Sequence, residues 1–221
     1  MQLDATLGTL IEKLDETVGR ERYILALTSD HGVAEIPAQE DSGQIFDEDL
    51  QQLLERILVS QWGARPEGPY VDNVTMGNVY FAPGIFDRLR AAPKALEGVE
   101  RALLATRGVA RVLHGDRLSE TTTDPMVRAA ALGYVPGRSG DMIIVTRQNW
   151  FIGLKTNNYA TSHGTMYEYD REVPIVLLGG AFKPGRFVQR VTPADIAPTL
   201  ASVARVTMSK AEGSVLSVAL K

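Results

Sequence analysis

Apolar residues recur at helical spacing near the start of the chain. Leu3, Leu7, Leu10, Leu14 and Val18 form one stripe, and Gly19 follows as a cap residue. An unbroken apolar run, Tyr23-Ile24-Leu25-Ala26-Leu27, comes next; its length and lack of alternation predict a parallel strand covered on both faces. A polar, turn-rich loop over 37–43 leads into an amphipathic helix over 47–60, with Leu50, Leu53, Leu54, Ile57 and Leu58 inward. Strands at 78–81 and 109–113 and helices at 94–106 and 125–132 follow, and 141–145 is expected to return the chain to the main sheet. A second buried strand, 173–178, ends at Gly179-Gly180. Thr192, Pro193 and Asp195 have the form of a helix start, and a helix from Asp195 keeps Pro198 in its first turn, with Ile196, Leu200 and Val203 toward the sheet.

Apolar strands separated by helices make this an α/β chain. The alternation between them predicts an α/β core of 1–35 and 141–221 with a small α+β cap, 36–140, inserted. At 221 residues and 44% hydrophobic the chain is long enough for a sizeable core. A net charge of −4 with mixed signs argues against nucleic acid as an electrostatic partner. No apolar run is long enough to span a bilayer, and Met1-Gln2-Leu3-Asp4 does not begin a signal peptide. With no cysteine there are neither disulfides nor thiolate metal sites.

The chemistry concentrates in two short motifs beside strands: Thr28-Ser29-Asp30-His31-Gly32 and Thr161-Ser162-His163-Gly164-Thr165. Asp30 offers a carboxylate oxygen, and His31 and His163 offer imidazole nitrogens, the usual ligands of zinc and similar ions. They read as two fragments of one metal site at the ends of strands, where open α/β sheets place their ligands. Taken singly, each histidine is an ordinary loop histidine; the other motifs in order reverse that reading. Glu168, Asp170 and Arg171 either form a second shell that orients His163 or are a solvated charge cluster, with Asp170 the open case. His114 reads as a surface-turn histidine, Trp150 and Phe151 as packing, and Ser139-Gly140-Asp141 as a tight turn.

In order along the chain, LALTSDHGV (25–33), GRSGDMIIV (137–145), TSHGTMYEYDREVPIVLLG (161–179) and TPADIAPTLASVARV (192–206) resemble the alkaline phosphatase superfamily. The likeness is to its type I phosphodiesterase/nucleotide pyrophosphatase and capped alkaline phosphatase branches, and to their carboxyl-terminal part only. The resemblance implies part of an alkaline-phosphatase-like central sheet flanked by helices, with a cap over the metal site. It further implies two divalent ions, usually zinc: Asp30 and His31 match the pair that holds the nucleophile-side ion, and His163 the late histidine of the other. The family's nucleophile, an early aspartate and an Asp-x-x-x-His pair match nothing here. The numbering is therefore expected to start inside the enzyme, and an amino-terminal half to be missing.

The resemblance thus implies a phosphoric-ester hydrolase acting on a small phosphate ester, present as a piece that is inactive by itself. Complete relatives are commonly periplasmic or secreted. A non-catalytic binding module and one half of a split enzyme are the alternatives. Substrate, monoester or diester preference and metal are not legible.

Overall fold

The computed structural model describes residues 2–36, 42–119, 121–156 and 161–221. Most of the polar loop expected over 37–43 lies outside the described residues. In chain order the elements are α1 (Gln2–Thr17), β1 (Leu25–Leu27), β2 (Gly43–Phe46), α2 (Asp47–Trp62), β3 (Val71–Thr75), β4 (Asn78–Phe81), α3 (Ile85–Arg90), α4 (Pro93–Ala105), β5 (Val109–His114), α5 (Pro125–Gly133), β6 (Met142–Thr146), β7 (Trp150–Gly153), α6 (Glu168–Arg171), β8 (Val176–Leu178) and α7 (Ile196–Ala204). They fall into two compact units, a larger one of 31–172 and a smaller one that joins the residues up to 30 with 173–221.

The larger unit is built on a four-stranded sheet in the order β3-β4-β6-β5, antiparallel throughout. Side chains alternate across a strand. In β6, Met142 and Ile144 accordingly join the core under α2 and α4, while Ile143 and Val145 join a second cluster with Leu113 and Ala130 of α5. Helices on both faces bury the whole strand and explain its solid apolar run. The expectation that 141–145 returns to the main sheet is therefore corrected: this strand pairs with β4 and β5.

Leu50, Leu54 and Leu58 of α2 and Val99 and Leu103 of α4 are almost wholly buried and fill the first core. β3 was not expected because a bulge between Val71 and Asn73 breaks its alternation, so that Val71 and Val74 are both buried. β3 and β4 are joined by Met76-Gly77, both at positive φ (47° and 80°), the geometry of a two-residue hairpin turn. A Cβ on Gly77 would lie 2.8 Å from the Ile144 carbonyl oxygen, so glycine is required by space as well as by conformation. β2 and β7 form a separate parallel ladder.

The smaller unit is thinly packed. β1 pairs with β8 antiparallel, Leu25 opposite Leu178, in a two-stranded ladder. The parallel strand covered on both faces is thus corrected: Leu27 and Leu178 are each 38% exposed. α1 has no buried residue, and Leu3 and Leu10 of its stripe face solvent. Polar bonds organise the other end. Asp195 accepts from the Thr192 and Ser214 amides (2.8 and 2.7 Å), and Thr199 donates to the Asp195 carbonyl and accepts from the Leu216 amide. These amide donors hold the Asp195 carboxyl below the usual range, that of Ser214 most strongly. A 3-10 turn, Pro193–Asp195, precedes α7, which buries Pro198 and Thr199 while Ile196, Leu200 and Val203 are half-buried.

Truncating Leu54 to alanine leaves a cavity beneath the sheet and is expected to cost about 3 kcal/mol in urea unfolding of the chain. Asp47 at the start of α2 is 3% exposed, and burial raises its carboxyl to about 6 from 3.8, against the opposing pull of the Met76 and Gly77 backbone. The folded state thus favours the protonated acid, and the stability this contributes is lost as pH rises through about 6. Asp47→Asn removes that dependence, so its stability relative to the parent chain should increase from about pH 4 to pH 7. Denaturant midpoints across that window provide the check.

Candidate metal centre

The two histidine motifs meet in the larger unit. His31 and His163 lie with ring centroids 3.5 Å apart and planes inclined by 15°. His31 Nδ1 is 2.7 Å from the Gly32 carbonyl oxygen. A carbonyl only accepts, so Nδ1 carries the proton in this contact. Asp30 precedes His31 as the last residue of the smaller unit, where Ser29 Oγ lies 3.4 Å from its Oδ1.

Backbone and side-chain bonds lace the two histidine segments together. The Gly32 amide donates to the Asp170 carbonyl (2.9 Å), the Ala34 amide to the Ser162 carbonyl (3.2 Å), and Thr161 Oγ1 to the Ala34 carbonyl (2.6 Å). A Cβ on Gly32 would stand 1.9 Å from the Tyr169 carbonyl oxygen, an overlap only glycine avoids. Asp170 is 5% exposed, and its Oδ2 accepts from both the amide and the hydroxyl of Thr165, at 2.7 and 2.6 Å. Its other oxygen is buried and has no partner among the described residues. The carboxylate thus holds the loop two residues past His163, while Glu168 and Arg171 are exposed.

Tyr167 and Tyr169 stack 5.6 Å apart and clasp the β6–β7 turn: Tyr167 donates to the Thr146 carbonyl and Tyr169 accepts from the Asn149 amide. Thr165 and both tyrosines lie in segments the sequence singles out, but their anchoring roles carry no sequence signal, since a short polar-aromatic run has no period. Trp150 and Phe151 are buried in β7, and Gly43 and Gly108 leave room for the Trp150 ring. His114 is corrected: it is buried, 2.5 Å from a Glu100 carboxylate oxygen and edge-on to Phe86, because β5 turns it toward α4. Among the described residues, no group of three or more His, Cys, Asp or Glu side chains is placed to hold an ion.

The chain belongs to the type I phosphodiesterase/nucleotide pyrophosphatase family, whose model matches residues 1–167. It is 27% identical over 220 residues to a protein named calcium-transporting ATPase from Myroides odoratus and 26% identical over 217 residues to the alkaline phosphatase PafA of Elizabethkingia meningoseptica. Each comparison covers 93% of this chain and 38% of the relative, so the chain spans about two fifths of their length. The PafA crystal structure is similar with a TM-score of 0.82 at 24% identity, over 99% of this chain and 42% of that one. Human ectonucleotide pyrophosphatase/phosphodiesterase 5 gives 0.65 at 20% identity, over 96% and 49%. The chain therefore has a mixed α/β structure of the alkaline-phosphatase type.

Removing the Asp170 carboxylate should loosen the His163 loop. Asp170→Ala is expected to cost about 1–3 kcal/mol and to broaden the His163 ring signals in NMR spectra, whereas Asp170→Asn, which keeps an acceptor, restores most of the order. Unchanged His163 signals in the alanine variant would contradict the role.

Proposed function

We propose that this chain is the portion of a phosphoric-ester hydrolase that carries His31, His163 and Asp30 toward a pair of divalent ions, zinc being the natural fit. The observation that supports it most is the parallel contact of His31 and His163, drawn from opposite ends of the larger unit. Relatives named alkaline phosphatases and a family of phosphodiesterases point to phosphate esters as the substrate class. Murine ectonucleotide pyrophosphatase/phosphodiesterase 5, an inactive variant similar to this chain at a TM-score of 0.68, was solved in complex with AMP.

Three ligands for two ions fall short of the three or four that each tetrahedral site takes from protein. The reading therefore assigns the nucleophile and the remaining ligands to polypeptide beyond these residues. The thin packing of the smaller unit supports it: among the described residues only Phe182, Asp195, Pro198, Thr199 and Ala219 are buried there. When bound, the ions would neutralise charge on the phosphoryl group and hold the attacking and leaving oxygens. The residues of this chain bind and orient; Asp170 sets the loop of His163, and Gly32 lets the His31 segment pass against Tyr169.

The chain by itself should bind zinc weakly and release no phenol from phenyl phosphate above a buffer control. Zinc affinity, measured by titration calorimetry, should fall about tenfold or more in His31→Ala and in His163→Ala. Zinc binding that both substitutions leave untouched overturns the ligand assignment, and turnover by the lone chain overturns the division of the site.

A further inference from the structure

Asp47 is a buried carboxylic acid to which the metal reading gives no role. It opens α2, whose first turn carries three acids. The other two engage one segment: Glu48 accepts from the Lys155 amide, 3.3 Å from each oxygen, and Asp49 accepts from the Lys155 ammonium. Only Asp47 of the three is turned inward, at 3% exposure. An acid kept solely for the positive end of the helix would serve as well in water, where Asp49 lies. The Oδ1 atom of Asp47 is buried with no hydrogen-bond partner among the described residues, an arrangement that desolvation penalises.

Inside the unit Asp47 meets the β3–β4 turn. The backbone of Met76 and Gly77 bears on its carboxyl group and favours the ionised form. On the β6 side the Ile144 amide donates to the Gly77 carbonyl (2.7 Å), so the turn is gripped between α2 and the central strand. It carries a methionine at φ 47°, where glycine or asparagine is the usual residue. That methionine reaches the metal segment. Its Cε sits 2.9 Å from the position a Cβ on Gly164 would take, and Gly164, at φ 99°, directly follows His163. Two unfavourable local choices, a buried carboxyl group and a strained methionine, thus meet at one turn, and the turn touches the histidine loop. Such costs concentrate where a structure must hold a functional group in place.

We infer that Asp47 is a positioning residue for the metal centre: from the start of α2 it holds the Met76-Gly77 turn, and the Met76 side chain braces the loop of His163. The inference rests on the hydrolase reading, which makes His163 a ligand. Asp170 fixes the same loop at Thr165, so the two residues that follow the histidine are each held by a different element.

The test follows the His163 ring, the Gly164 amide and the Met76 methyl group by NMR in the whole chain, first without metal and then during titration with zinc. Asp47→Ala and Met76→Ala should each shift the His163 and Gly164 signals and weaken zinc binding about threefold or more. The double variant should do no more than the larger single change, because both act through one contact. Asp47→Asn, which keeps a carbonyl acceptor, should preserve the nuclear Overhauser effect between the Met76 methyl group and Gly164. Leu89→Ala is the control for general loosening: it truncates a fully buried side chain in the helix beyond the far end of β4, and should leave the His163 signals in place. His163 and Gly164 signals unmoved in Asp47→Ala, or moved equally by Leu89→Ala, would overturn the inference. If Asp47→Ala does not fold, Met76→Ala decides, since an unmoved His163 ring there overturns it too. A parent chain that binds no zinc overturns the metal reading instead, and the metal-free signals still decide whether Asp47 acts on the loop.

Discussion

Asp170 grips both histidine segments at once. Its carbonyl takes the amide of Gly32, next to His31, and its carboxylate takes the amide and hydroxyl of Thr165, two residues past His163. Burial makes this grip strong, since a carboxylate at 5% exposure has little water to return to when its partners leave. The close contact of the two imidazoles depends on it. So does the glycine at 32, because the backbone passes so near Tyr169 that no side chain can stand between them.

The larger unit supplies the rigidity behind that grip. Its central strand β6 is buried on both faces, by α2 and α4 on one side and α5 on the other. The β6–β7 turn is in turn held by the two tyrosines that follow His163. The site is thus anchored to the sheet through hydrogen bonds on both sides of the histidine loop. By contrast the smaller unit relies on polar lacing around Asp195 and Thr199, with few apolar contacts of its own.

Much of the helix and strand pattern was legible along the chain. The stripe of α2 and the strand at Asn78–Phe81 follow from spacing alone, and so do α4 and β5 to within a residue. β3 and the Met76-Gly77 turn were not legible, because a bulge disrupts one and a methionine occupies a position where glycine or asparagine is the usual signal. The place of β6 was misread for a general reason: a solid apolar run says that both faces are covered, not by which neighbours. His114 was misread because a histidine before a glycine looks like a turn until α4 brings Glu100 to it.

Of the candidate site, the residue types were set by the chain itself: two imidazoles and a carboxylate beside strands, each able to bind metal whatever the fold. Their proximity was not. Stacking of His31 on His163 joins residues at opposite ends of a unit, and the choice of Asp170 over Glu168 and Arg171 as the loop's anchor depends on which side chain is turned inward. Local sequence determines which groups are chemically capable and where helices and strands begin, because propensity and periodicity act over a few residues. Only the tertiary structure decides which of those groups meet, because long-range contacts depend on how sheets and helices cover one another.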